Sequence, residues 1–300
     1  MKSLGAFALF IAFTFSVFCQ DYEIRLTRPM KAGDKYGISA TASSVEISTT
    51  AAEGEEPDQE TEKTSIELEG LVNVIEVDKK GAPSKEMITI GKCVVESDGQ
   101  KSEPFKKGAV ITAFVKGDDT FFEVEGKPVS EELSNTLGLI EILDPSDTTD
   151  DDVFGTKERR KIGDTWNMNP DPMPADFAKS GIKVDKKNIK GSATLEKLVK
   201  SNGKDCLQIS AEITMKDVNI SDLPAGFTVK NSVMMGTGSS IYPVDTSMGI
   251  LEETTEMKLQ MTISGRIIPG APDVKIITTT ERSSTQKYTY DKSKPDDKAK

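Results

Sequence analysis

The sequence contains no histidine. That absence excludes Ser-His and Cys-His nucleophiles, and with them every His-ligated zinc centre, before any spacing is considered. Histidine-free serine chemistry uses Ser-x-x-Lys, which occurs at Ser180-Gly181-Ile182-Lys183 and Ser201-Asn202-Gly203-Lys204. The mechanism needs its serine and lysine one turn apart on a buried helix. Gly181 is a helix-ending glycine and Asn202-Gly203 is a hairpin signal, so neither match suits it. Gly236-Thr237-Gly238-Ser239-Ser240-Ile241 begins like a dinucleotide loop but lacks the third glycine and a β-α-β setting, and it reads as a bend in a long strand. The 49 acidic residues supply many carboxylate pairs for a hydrolase, whose requirement is spatial; a single Trp and 6% aromatic content leave few stacking platforms for a sugar. Acidic runs at residues 53–60 and 144–152 lack the spaced ligands and glycine of a calcium loop and read as solvated, so no metal and no cofactor is expected. Asn219-Ile220-Ser221 matches a glycosylation acceptor, which matters only in a pathway that glycosylates.

Two other residue types carry chemical meaning. Cys93 and Cys206 are the cysteines left once Cys19 is removed with a leader, an even count that fits either one disulfide or two buried thiols packed as small apolar groups. Neither has a histidine to lower its pKa. Methionine gathers late in the chain at Met215, Met234, Met235, Met248, Met257 and Met261, where flexible thioethers fill a plain core or form an adaptable wall around an apolar ligand.

Export is written at the start. Lys2 precedes the apolar run from Leu4 to Phe13, and Val17-Phe18-Cys19 places acceptable residues before a cleavage site after Cys19. The run is short for a membrane span of roughly 20 residues, and no later stretch approaches one. Cys19 also reads as the lipidated cysteine of a bacterial lipoprotein, although Phe18 stands where a lipobox carries Gly, Ala or Ser. With 38 basic residues against 49 acidic ones the formal charge is −11, the wrong sign for tracking nucleic acid or an anionic membrane by charge.

The elements that would position these residues are strands. Leu207, Ile209, Ala211, Ile213 and Met215 alternate with polar neighbours, as do Met257, Leu259, Met261 and Ile263, so each run is a half-buried strand. Phe227, Val229, Val233 and Met235 continue the beat with Asn231 as a gap. Asn202-Gly203 and Asp245 to Gly249 supply turns. Earlier strands are expected near Tyr22 to Leu26, Tyr36 to Ile47, Ile66 to Val77, Met87 to Val95, Ala109 to Val115 and Phe121 to Val124. One helix is well signalled, capped by Ser130 with Leu133, Leu137 and Ile140 on one face; a second, shorter one covers Ala175 to Ser180. The fold class is therefore mainly β: antiparallel long-stranded meanders forming two curved sheets or half-barrels, with one or two short helices. The expected divisions are a signal peptide at 1–19, an N-terminal β half at 20–143, an acidic linker at 144–152, a C-terminal β half at 153–290 and a disordered tail at 291–300. Lys31-Ala32-Gly33-Asp34-Lys35-Tyr36 and Lys161-Ile162-Gly163-Asp164-Thr165-Trp166 match in kind at an offset of 130 residues, which fits an internal duplication or a coincidence of turn chemistry. Gly91-Lys92-Cys93 and Gly203-Lys204-Asp205-Cys206 form a looser echo.

On Gly33 to Tyr36, on Phe154-Gly155-Thr156 leading to Lys161 to Trp166, and on Tyr242 to Leu251, the chain resembles an uncharacterised group of secreted bacterial proteins and lipoproteins of similar length. The late block is also similar in architecture to the hairpins of periplasmic lipoprotein carriers with an unclosed β-barrel. The group has no established activity, so the resemblance implies an envelope location and no residue roles. The expected function is a non-enzymatic exported cell-envelope protein, periplasmic or extracellular, that holds a hydrophobic small molecule or lipid against Leu207, Ile209, Ile213, Met215, Met257, Leu259, Met261 and Ile263. The alternatives are a structural or partner-docking envelope protein with a solid core, and a carboxylate-dependent hydrolase.

Overall fold

The computed structural model describes residues 20–290 apart from positions 53, 118, 141–142, 144–147, 180, 222 and 267–271. The expected signal segment with its cleavage site, part of the acidic linker, Ser180 and the expected tail lie outside the described residues.

Alternation becomes sheet where it was expected. Leu207, Ile209 and Met215 are buried along β11 (Lys204–Lys216), and Asn202 and Gly203, both at positive φ, turn it back onto β10 (Ile189–Ser201). β13 (Phe227–Pro243), β14 (Glu252–Gly265) and β15 (Val274–Tyr290) continue the antiparallel meander, and the short β8 (Thr165–Asn167) closes its far side. The earlier residues build a second meander from β1 (Lys35–Ala52), β2 (Asp58–Val77), β3 (Pro83–Ser97), β5 (Val110–Lys116), β6 (Asp119–Val124) and β7 (Lys127–Pro128), with β4 (Gln100–Ser102) beside β3. The two meanders are one sheet. Its order is β7-β6-β5-β3-β2-β1-β15-β14-β13-β11-β10-β8, joined where the first long strand pairs with the last, and it does not close into a barrel. A separate two-stranded ribbon joins β9 (Ile182–Lys183) to β12 (Asn219–Ile220).

Each meander buries its inner face under its own cover. Over the first lies α1 (Glu131–Leu137), capped by Ser130, whose Leu137 joins Ile140 against Leu68, Ile88 and Ile111. Fully burying each such aliphatic side chain contributes about 1.5–3 kcal/mol. Over the second lie residues 20–28 and α2 (Asp150–Val153), while α3 (Met173–Lys179) packs Met173 with Val184, Ile189 and Met215.

The echo at residues 31–36 and 161–166 is the same turn built twice. Asp34 accepts the N–H of Lys31 at 2.7 Å and Asp164 that of Lys161 at 2.8 Å. Gly33, at φ 92°, donates to Val74, which donates back to Asp34; Gly163, at φ 90°, does the same with Leu195, which returns to Asp164. The looser cysteine echo has no such equivalence, because Gly203 occupies a hairpin turn and Gly91 lies inside β3.

Two expectations are corrected, and the linker and cysteine readings gain detail. Residues Tyr22 to Leu26 alternate as a strand does but join no ladder: Tyr22 makes one bridge to Arg160, and Tyr22, Ile24 and Leu26 are buried as a strap across the second meander. In β13 the register shifts between Val229 and Asn231, so the phase inverts, Ser232 is buried and Met235 is exposed on the opposite face. The linker region holds an ordered turn, α2, whose Thr149 and Asp152 form a capping box. Of the two cysteine readings left open, the buried-thiol one is what the structure has: Cys93 and Cys206 are both free and buried. Strands β2, β1, β15, β14 and β13 separate them in the sheet, which at ~4.8 Å per strand is far beyond the ~7 Å limit between bridged Cα atoms. Burial pushes the Cys93 thiol up to about 11, and burial, with the Asp205 charge adding to it, raises that of Cys206.

Candidate functional site

Register fixes which side chains share the inner face of the second meander. Ile209 stands opposite Ser240 and Ser240 opposite Glu253; Ala211, Gly238 and Thr255 form the next row; Ile213, Gly236 and Met257 the one after. Small residues in the middle of these rows leave a depression. Leu26 of the strap, Asp150 of α2 and Phe154 roof it, and the result is a cleft of about 190 Å³ whose remaining wall is Tyr242.

The roof is held by polar contacts at its ends. Both carboxylate oxygens of Asp151 accept backbone N–H groups, from Leu26 at 2.7 Å and from Thr27 at 3.1 Å, and Thr27 Oγ1 accepts the N–H of Asp151. Arg28 donates to the carbonyls of Asp245 and Pro243 and lies over the Tyr242 ring, 5.5 Å from its centroid. At the other end the Tyr22–Arg160 bridge fixes the strap, Arg160 stacks over Trp166, and Trp166 Nε1 donates to Phe154 O at 2.7 Å.

Two carboxyl groups reach this apolar space. Burial, reinforced by the neighbouring charge of Asp150, pushes the Glu253 carboxyl up to about 7. Burial raises the Tyr242 hydroxyl as well, with the Asp150 and Glu253 charges adding to it. Glu212 borders the cleft through its backbone side only; its carboxylate accepts from Ser192 on the outer face. A glycosidase would also need an acid pair in a cleft, but Ser240, Thr255 and Tyr242 are the hydroxyls available here to hold a sugar, among walls of Ala, Gly and Ile.

The eight residues expected to line a ligand all face inward, but they do not meet in one place. Ile209 and Ile213 form the cleft floor. Leu207 is packed under the strap, and Met215 lies in the core beside Met173 and Val218. Met257, Leu259, Met261 and Ile263 continue the inner face past Gly236, with Met261 buried and the others half-buried. Sequence reasoning missed Glu253, Asp150, Tyr242 and Leu26. For Glu253 a signal existed: the two-residue beat through Met261, Leu259 and Met257 runs back through Thr255 to Glu253.

No protein-family model and no curated protein sequence matches the chain. In backbone shape it is similar to a lipovitellin structure described for its lipid–protein interactions, at 7% identity and a TM-score of 0.34 over 89% of this chain and 26% of that one. It is also similar to the outer membrane protein OprG of Pseudomonas aeruginosa, at 9% identity and a TM-score of 0.22 over 88% and 99% of the two chains. A LolA-superfamily protein of Nitrosomonas europaea matches at 10% identity and a TM-score of 0.16 over 89% and 90%. The chain spans about a quarter of the lipovitellin chain. At these scores the likenesses carry no argument about activity. No helix among the described residues is long and apolar enough to cross a membrane.

Proposed function

We propose that this chain is a non-enzymatic exported protein of the cell envelope that binds an apolar ligand on the inner face of its second meander. The observation that carries the reading is the cleft between the strap and the floor of Ile209, Ala211, Ile213 and Gly238. Its 190 Å³ is below the roughly 300–1,000 Å³ usual for small-molecule sites. A ligand larger than the cleft therefore requires residues 20–28 to yield. Met257, Leu259, Met261 and Ile263 supply the half-buried surface along which a longer chain would lie, and Leu207 and Met215 serve as packing behind it. The leader-like residues 1–19 support export.

A partner-docking role has one observation in its favour, the exposed Ile47, Met235 and Ile277 on the outer face. That face is not a continuous apolar patch. The row from Val45 to Met235 is interrupted by the Lys258–Glu281 ion pair at 2.6 Å, which favours the cleft as the binding surface.

The test is native mass spectrometry of purified protein before and after organic extraction. The expected result is an extractable adduct on the wild-type chain that is lost in Gly238→Val, a change for which there is room, since a Cβ at Gly238 would meet only Thr254 O at 3.7 Å. Protein that carries no adduct and takes up none when offered apolar probes would leave the structural reading in place of this one.

A further inference from the structure

Register also fixes how charge is distributed across the centre of the sheet. In β2, β1, β15 and β14 the alternation that buries Tyr36, Ala42, Thr280 and Met261 puts Lys35, Lys63, Lys258, Lys275 and Lys287 on the outer face. Arg282 is the one basic residue of these strands on the inner face, opposite Met257 on one side and Ser44 on the other. It is exposed, and among the described residues no hydrogen bond or ion pair takes up its guanidinium. Resting on the apolar-cleft reading, we propose that the occupant is an anionic amphiphile, a single apolar chain ending in a carboxylate or phosphate, with its tail in the cleft and its head on Arg282.

Position sets the polarity of the ligand. Gly236, which lines the cleft, is followed in its row by Met257 and then by Arg282. From Gly238 at the cleft floor to Arg282 is two strands across and two residues along, about 12 Å, over a surface of Gly236, Thr255 and Met257. A head group inside the cleft would meet the carboxyls of Glu253 and Asp150, which line it and repel an anion. Arg282 lies clear of them, since Glu253 precedes Met257 by four residues of β14, about 13 Å. Its guanidinium offers a planar fork of donors matched to carboxylate or phosphate oxygens and stays charged at any working pH. The acid closest to it in register on the same face is Glu46, opposite Thr280, and that carboxylate forms no ion pair with it, so the fork is open to an incoming anion. An amine would meet Arg282 as a like charge, and an alcohol would gain a neutral hydrogen bond of about half the strength of a charge-assisted one.

Four probes share one chain length and differ in head group: decanoate, decyl phosphate, decanol and decylamine. Binding is followed by isothermal titration and by the emission of Trp166, the chain's single tryptophan, which belongs to the same buried cluster as Leu26 and Ile209. At low salt both anions are expected to bind about tenfold more tightly than decanol, and decylamine more weakly than decanol. Added salt should narrow the anions' lead, because Arg282 is exposed. Arg282→Gln should bring both anions down to the level of decanol and leave decanol itself unchanged, while Arg282→Lys should keep part of the lead. Gly238→Val should weaken all four alike, since it acts on the tail. A lead of decyl phosphate over decanoate would assign the head to a phosphorylated lipid, and the reverse to a free fatty acid. If decanol or decylamine binds as well as the anions, or if Arg282→Gln keeps their full lead, the head-group assignment is overturned while the apolar cleft stands. If none of the four probes binds the wild-type protein, the cleft reading falls and this inference with it.

Discussion

Glu253 is where residue chemistry departs most from a plain sheet core. Its carboxyl is held at about 7 against an ordinary 4.5, so the folded chain keeps a proton that the unfolded chain releases between those values. Stability from this group is full below about pH 4.5 and is lost as pH rises through about 7, amounting to about 3 kcal/mol. Urea unfolding of wild type and Glu253→Gln at pH 5 and pH 8 is expected to give similar midpoints at the lower pH and a more stable variant at the higher. Equal midpoints at both would mean the carboxyl is solvated. The first meander holds a second isolated carboxyl: Glu86, 1% exposed, accepts from the Tyr36 hydroxyl at 3.0 Å, and its other oxygen has no hydrogen-bond partner. Removing that hydroxyl with Tyr36→Phe should cost about 1–3 kcal/mol. Adding Glu86→Leu should restore part of the loss, because two matched apolar groups leave no orphan; a double variant worse than the single would show that the pair is held by shape instead. The two carboxyls differ in legibility. Glu253 follows from carrying the methionine beat two steps further, whereas Glu86 precedes Met87 and Ile88 with no pattern to say that it points inward among apolar residues.

The strap and α2 show what alternation tells about an element and what it omits. Burial of Tyr22, Ile24 and Leu26 follows from their spacing, since any extended segment with one covered face shows period two. Whether the backbone pairs with a strand depends on neighbours that spacing does not name, and here its hydrogen bonds go to Arg160 and Asp151. β13 fails differently. A register shift beside Lys230 inverts the phase, so hydrophobic residues counted onto one face before and after it fall on opposite faces. α2 is short and acidic, and was legible only through Thr149 and Asp152 as a capping box. Because Asp151 alone supplies both acceptors at the strap's centre, Asp151→Ala should release this element before any other. Hydrogen exchange of the Leu26 and Thr27 amides is expected to quicken at least ~10-fold, the loss of one hydrogen bond to a charged group, with the amides of β11 unchanged. Uniform acceleration across β11 would mean the strap and the sheet open as one unit.

For the whole molecule, the decisive pairing is the one between β1 and β15, in register from Tyr36 opposite Tyr290 to Ala52 opposite Val274. Nothing local in either strand marks the other as its partner; each reads as an alternating strand, and a sequence so patterned is equally consistent with two separate sheets. The choice follows from edges. Strands of 18 and 17 residues left unpaired would be long templates for aggregation, whereas sealing them together leaves the sheet bounded by β7 and β8, of two and three residues. The seam should accept a covalent link. Ser43 and Ser283 face each other across it with their hydroxyl oxygens 2.9 Å apart, at a separation of 240 residues. Ser43→Cys combined with Ser283→Cys is expected to oxidise to a disulfide that closes this large loop and raises stability by about 2–4 kcal/mol, read as a higher unfolding midpoint that reductant returns to that of wild type. Cys93 and Cys206 are buried and should not compete for the new thiols. A pair that stays reduced under oxidant, or that lowers the midpoint when bridged, would mean the strands do not meet in this register, and the two meanders would then have to be treated as separate sheets, each with a long open edge.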